Sequence, residues 1–206
     1  MKWRLGMLLL IIFSGRGLAQ DREERVSVGS GYSRHGTDDV SGFFFSVYYE
    51  SELKNKTGYS ISLSGTLHDG RTPILYYNEI EAEWKRGDLF FVTSGVQLSA
   101  GLTYELINLK MSNLIFELAP LLRYQSTSNP DYSLVNFYPT NYFANSNFER
   151  SFSLGAVGSL AYSIDVNKDF HVRITASLQY DTHEDALSMV GFSIGRKLIR
   201  KKSESD

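Results

Sequence analysis

Three of the four histidines stand close in sequence to carboxylates: His35 before Asp38 and Asp39, His68 beside Asp69, and His183 before Glu184 and Asp185. A histidine oriented by an acid and facing a serine can take the proton of a hydroxyl nucleophile, which is the apparatus of acyl transfer. Ser33 and Ser188 lie near enough in sequence to complete such a set. The same side chains could ligate a metal, but no His-Glu-x-x-His or comparable spacing is present. His35, His68 and His183 are therefore catalytic candidates without a local motif, and solvated loop residues are the ordinary alternative. No metal and no cofactor is expected.

Two further groups could do work. Glu50, Glu105, Glu117, Arg123 and Arg173 are charges set among Ser, Gly and Thr, a mixture suited to ion pairing in a confined interior. Tyr132, Phe137, Tyr138, Tyr142, Phe143 and Phe148 crowd into one stretch with several Asn residues. Aromatic rings among amides can stack on sugars or dock on a partner, so these six are candidate ligand-binding residues. The alternative is that they bury one another or dip into lipid.

The elements that must position these groups are strands. Val92, Val96, Leu98, Ala100, Leu102, Tyr104 and Leu106 alternate with Thr93, Gly95, Gln97, Ser99, Gly101, Thr103 and Glu105. A helix would scatter these residues around its circumference, whereas a strand puts them on opposite faces. The pattern recurs eight times: near 26–33, 43–53, 59–68, 90–106, 114–125, 152–166, 170–181 and 190–198. Short connections (54–57, 110–113, 167–169) alternate with longer ones (34–41, 69–88, 127–151, 182–187). In an up-and-down barrel this places every tight turn at one rim and every long loop at the other. The segment 69–88 is a loop with room for a strand extension or a helix.

Which face is buried decides between two architectures. A soluble barrel encloses its apolar residues, and a membrane barrel inverts them. The apolar faces carry almost no charge, Arg196 being the main exception, while the opposite faces hold Ser, Gly, Thr and the charges above. A charge facing lipid at the midplane costs roughly 2–4 kcal/mol, so an apolar face emptied of Lys and Arg points outward into a bilayer. The fold class expected is thus all-β: an eight-stranded antiparallel up-and-down transmembrane barrel with short periplasmic turns and longer extracellular loops.

Composition agrees. The chain has 206 residues, 13 Tyr and 13 Phe, and no Cys, which excludes a disulfide scaffold and thiolate metal sites. Residues 1–19 read as a cleaved signal peptide: Lys2 and Arg4 precede an apolar stretch from Leu5 to Phe13, and Gly17 and Ala19 suit a cleavage site. Removing Lys2, Arg4 and Arg16 leaves 18 basic against 23 acidic residues, a surplus that argues against a nucleic-acid partner. Residues 20–199 form the barrel domain and 200–206 a charged tail.

On this pattern the chain resembles the small eight-stranded outer-membrane β-barrel proteins of Gram-negative bacteria, within the porin-like superfamily. Its last two hairpins, 152–166 with 170–180 and 190–198, are the most telling part. The resemblance implies the outer membrane as location and outer-membrane lipid as partner, but no reaction. Members commonly end in an aromatic residue, whereas this chain continues past Leu198 into the tail. The function expected is a structural, recognition or adhesion module acting through its extracellular loops, notably 127–150, on an extracellular ligand or an envelope protein. The alternatives are a lipid-modifying enzyme of the lipid A deacylase or acyltransferase type, using the rim His, Ser and acid residues, and a subunit of a larger envelope complex. Because eight strands leave a lumen that side chains can fill, no general diffusion pore is expected.

Overall fold

The computed structural model describes residues 23–36, 40–53, 56–78, 81–130, 145–183 and 186–199. The leader 1–19, the tail 200–206 and the stretch 131–144 lie outside the described residues. Eight strands follow in chain order: β1 (Glu23–His35), β2 (Val40–Glu52), β3 (Thr57–Asn78), β4 (Glu83–Leu109), β5 (Ser112–Pro130), β6 (Asn145–Asp165), β7 (Phe170–Asp181) and β8 (Ala186–Ile199). Each pairs antiparallel with the next, and β8 returns to β1 to close the barrel. Closure satisfies the backbone of every strand within the barrel wall, which is what allows a sheet to sit in hydrocarbon.

The polarity is inverted. Arg123 is 0% exposed in the lumen, whereas Leu178 is 71% and Leu102 69% exposed on the outer wall. Buried positions are dominated by Ser, Thr, Gln, His, Glu and Arg, and the outer face by Val, Leu, Ile, Phe and Tyr. On β7 the outer face runs from Phe170 to Tyr180. At about 3.3 Å per residue and a tilt near 40°, that span rises roughly 25 Å, the height of a membrane barrel's apolar band.

Tight turns close one end. Asn167 caps the β6–β7 turn: its Oδ1 accepts hydrogen bonds from the backbone N–H of Asp169 and of Phe170, both 2.8 Å. At the β2–β3 turn Leu53 N donates to Thr57 O at 2.8 Å, and Lys56 takes a left-handed φ of 65° to reverse the chain. The β4–β5 register slips between Glu105 and Ile107, so Leu106 and Ile107 are both exposed and the strict alternation ends there.

The other end is less even than the spacing predicts. Within 69–88 the described residues take the strand extension and add no ninth strand: β3 and β4 run on as one hairpin, paired from Asp69↔Val92 to Asn78↔Glu83. The β2–β3 pairing stops at Gly42↔His68 and the β4–β5 pairing starts at Val92↔Ser128, so this hairpin stands beyond its neighbours. Ten residues of β3 from Asp69 onward extend it about 33 Å along the strand. Pro73 fits there because an edge strand spares the ladder hydrogen bond that proline cannot donate. The connection expected over 127–151 is shorter as well, since β5 reaches Pro130 and β6 begins at Asn145.

Candidate functional site

Three polar layers fill the lumen. At the turn end Lys197 bridges Asp165 (2.6 Å) and Glu23 (2.9 Å), and Arg25 joins Glu23 (2.8 Å) to Glu52 (3.3 Å). In the middle Arg173 pairs with Glu50 at 3.1 Å, both almost wholly buried, and lies 4.6 Å over the ring of Tyr48. Tyr48 Oη donates to Glu117 at 3.0 Å, and Ser60 Oγ donates to the other oxygen at 2.5 Å. Above them Arg123 lies against Gly95, where an added methyl would come within 2.9 Å of its Nε. Glycine there makes room for the guanidinium.

Of the five charges expected to fill the interior, Glu50, Glu117, Arg123 and Arg173 are buried in the lumen. Glu105 is half-buried at the turn end, lining a cavity of about 270 Å³ with Glu50, Glu52, Lys56, Asn108 and Asn113. A second, central cavity of about 90 Å³ is bounded by Tyr48, Gln97, Glu117, Arg173 and Met189. Two such spaces hold water-sized groups. Tyr48 and Arg173 line the central cavity and Glu50 lines the one at the turn end.

The histidines divide. His35 and His68, from β1 and β3, meet edge to face with ring centres 5.6 Å apart. Ser33 Oγ and His68 Nε2 share a hydrogen bond of 2.9 Å. This is the Ser–His contact that sequence alone left open, but Ser33 is 0% and His68 1% exposed. Asp69, the acid adjacent in sequence, is exposed on the outward face, and His68 Nδ1 has no hydrogen-bond partner among the described residues. Strand alternation is the reason: neighbours in sequence point to opposite faces. The same rule removes Ser188, which is exposed on the outer wall. His183 is exposed at the β7 end, where its backbone N–H donates to Asp181 at 3.0 Å; Glu184, Asp185, Asp38 and Asp39 lie outside the described residues.

Among the candidate ligand-binding aromatics, Tyr132, Phe137, Tyr138, Tyr142 and Phe143 fall outside the described residues. Phe148 lies on β6, 67% exposed. Another aromatic group sits on the outer face of the β3–β4 hairpin. Tyr77 and Trp84 pack edge to face at 5.5 Å, with Leu75 two residues along the same face, and all three are exposed. Arg86 stands opposite Leu75 in the ladder, and Arg71 lies further down the same face. Beside them Lys85 pairs with Glu81 and, at 3.5 Å, with Glu83. Its hydrogen bond to Glu81 holds that carboxyl below the usual range.

No protein-family model and no curated protein matches the chain. Solved structures do. The attachment invasion locus protein Ail of Yersinia pestis, solved in complex with the heparin analogue sucrose octasulfate, superposes with a TM-score of 0.56 at 12% identity, covering 87% of this chain and all of Ail. Neisserial surface protein A gives 0.52 at 10% identity over 86% of this chain and 97% of its own. At such identity the likeness speaks for the fold alone. Together with the inverted polarity and the closed register, it identifies the fold as a closed eight-stranded antiparallel β-barrel, the fold of those small outer-membrane proteins.

Proposed function

We propose that this barrel is an outer-membrane recognition module, anchored by its apolar wall and reading a ligand with its projecting end. The observation that carries this reading is the β3–β4 hairpin, whose Leu75, Tyr77 and Trp84 lie exposed beyond the reach of the neighbouring strands. Between these side chains and the lipid-facing Leu67 and Val92 stand Asp69, Arg71, Pro73 and Asp88 on the same outward face, with Phe90 opposite Arg71 in the ladder. Three charges thus interrupt the apolar face below the aromatic group. Large exposed rings are costly unless something covers them, and Tyr and Trp next to Arg are the residues that dominate binding surfaces. The lumen supports the same reading, because among the described residues ion pairs and buried polar side chains span it. Ail carries a sulfated sugar analogue on a similar scaffold. Here Arg71 and Arg86 are interleaved with Asp69 and Asp88, so stacking on sugar or apolar side chains is favoured over bare charge attraction. The leader 1–19 would deliver the chain to the envelope and be removed.

Tyr77→Ser combined with Trp84→Ser tests this. Cells displaying the variant should lose about tenfold or more of their binding to arrayed glycans and matrix proteins. The barrel itself should remain heat-modifiable on denaturing gels. If cells with and without the intact protein bind these arrays equally, the reading is wrong.

One observation favours a second reading, that of a lipid-modifying enzyme: the Ser33–His68 hydrogen bond. Its burial weighs against it, since a nucleophile must meet its substrate, and the pair fits a cross-strand tie better. Ser33→Ala is expected to cost about 1–3 kcal/mol of stability, because it leaves His68 buried without this partner. Lipid A acylation, read by mass spectrometry, should not change. A changed acyl pattern that tracks Ser33 would establish the enzyme instead.

A further inference from the structure

The turn end of the lumen carries a charge that the barrel itself does not answer. Its cavity of about 270 Å³ is walled by three carboxylates, Glu50, Glu52 and Glu105. Arg173 neutralises Glu50 and Arg25 reaches Glu52 at 3.3 Å, but Glu105 makes no ion pair among the described residues. Its Oε1 is enclosed and accepts no hydrogen bond. Glu50 and Glu105 both repel the Glu52 carboxylate. Lys56 also borders the cavity, yet it is exposed and joins no ion pair among the described residues. An enclosed carboxylate is costly unless a positive charge meets it. The uncharged lining adds a second observation. Thr103 and Asn113 are only 4% and 9% exposed, line the cavity, and make no side-chain hydrogen bond among the described residues. Asn108 stands opposite Asn113 in the ladder and is brought there by the bulge. With Leu106 and Ile107 both turned outward, the next inward position falls to an amide. Unbroken alternation would have put Ile107 and Leu109 into the lumen instead.

We propose that this cavity binds one hydrated alkaline-earth cation, with Glu105 as its principal counter-charge. Apart from Lys56, the polar groups of the lining are carboxylates, amides and hydroxyls. Oxygen donors of this kind suit Ca²⁺ and Mg²⁺ and not the softer metals. Charge favours a divalent ion. Four carboxylates at the turn end, Glu23, Glu52, Asp165 and Glu105, share two paired cations, Arg25 and Lys197. Among the described residues no three acidic or histidine side chains converge closely enough to enclose a bare ion. The ion therefore keeps waters, for which the cavity has room, and Glu105, Asn108 and Asn113 hold it largely through them. Lys56, Thr57 and Asn108 are exposed at the rim, so the ion enters from the aqueous side. This inference is independent of what the β3–β4 hairpin binds.

The test uses the full chain, extracted from membranes in mild detergent, stripped with a chelator and titrated calorimetrically with CaCl₂ or MgCl₂. NaCl at about 0.1 M screens loosely held surface charge. The intact protein should take up about one ion per barrel, with a Kd on the order of 10⁻⁴–10⁻³ M. Glu105→Gln keeps the shape of the side chain, removes its charge, and should weaken binding roughly tenfold. Asp169→Asn, in the β6–β7 turn at the same rim but outside the cavity lining, is the control and should bind as the intact protein does. Should Glu105→Gln fail to insert, Asn108→Leu keeps every charge, removes one amide from the lining and should weaken binding severalfold. Absence of stoichiometric binding in the intact chain would overturn the proposal. So would unchanged binding in whichever cavity variant folds, by placing the ion elsewhere. An equal loss in Asp169→Asn would overturn it too, by showing that only surface charge is being read.

Discussion

Arg173→Met is expected to destabilise the barrel by about 3–5 kcal/mol. Arg173 reaches across the middle of the lumen to Glu50 at 3.1 Å, and both side chains are about 5% exposed. It also covers the ring of Tyr48, which donates to Glu117. Removing the guanidinium leaves Glu50 buried without its partner and takes a cation away from Glu117 in a space that admits few waters. The penalty is therefore mostly the desolvation of carboxylates left behind, and not the worth of the ion pair itself. This separates two variants. Arg173→Met with Glu50→Gln removes both charges and should recover a large part of the loss, giving a coupling energy well above the scatter of independent sites. Urea unfolding in lipid vesicles measures both. If the single and double variants were equally unstable, the side chains would matter by their bulk and not by their charge.

Leu98→Arg should cost about 2–4 kcal/mol for a different reason. Leu98 is half exposed on the outer wall, opposite Leu63 and Leu122 in the ladder and centred on β4's apolar run from Val92 to Tyr104. An arginine there must desolvate in hydrocarbon or drag water inward. The same substitution at Val92, near the loop end, can reach the headgroups and should cost only about 0–1 kcal/mol. The gradient between the two positions is the decisive quantity. In a water-soluble barrel both positions would face solvent and neither substitution would matter.

Much of this architecture was legible in the sequence. Each run of alternating residues gave a strand, the parity of Val96 and Leu98 against Gln97 and Ser99 gave the two faces, and the uneven connections gave the order of turns and loops. Even the placement of Glu50, Glu117, Arg123 and Arg173 in the lumen follows from parity alone. The boundaries were less legible. Residues 69–88 contain Pro73 and several charges, features that ordinarily end a strand, yet β3 and β4 continue through them because each supplies the other with a hydrogen-bonding partner. The break in alternation at Leu106 is marked only by the adjacent Leu106 and Ile107, since a bulge is a mismatch in length between two strands and not a property of one.

The sequence by itself determined sidedness, because the period of two is imposed by the geometry of a single strand and needs no neighbour. It could not determine which lumen groups touch. Glu50 and Arg173 are 123 positions apart, Tyr48 and Glu117 are 69 apart, and Ser33 and His68 are 35 apart. Those meetings depend on how far each strand is staggered against the next and on where β8 closes onto β1. The row Gly158, Leu178, Ser188 and Arg34 depends on the same stagger, accumulated over four strands. Only the closed tertiary structure fixes that quantity, because register is a relation between strands and a one-residue slip would turn every side chain to the opposite face.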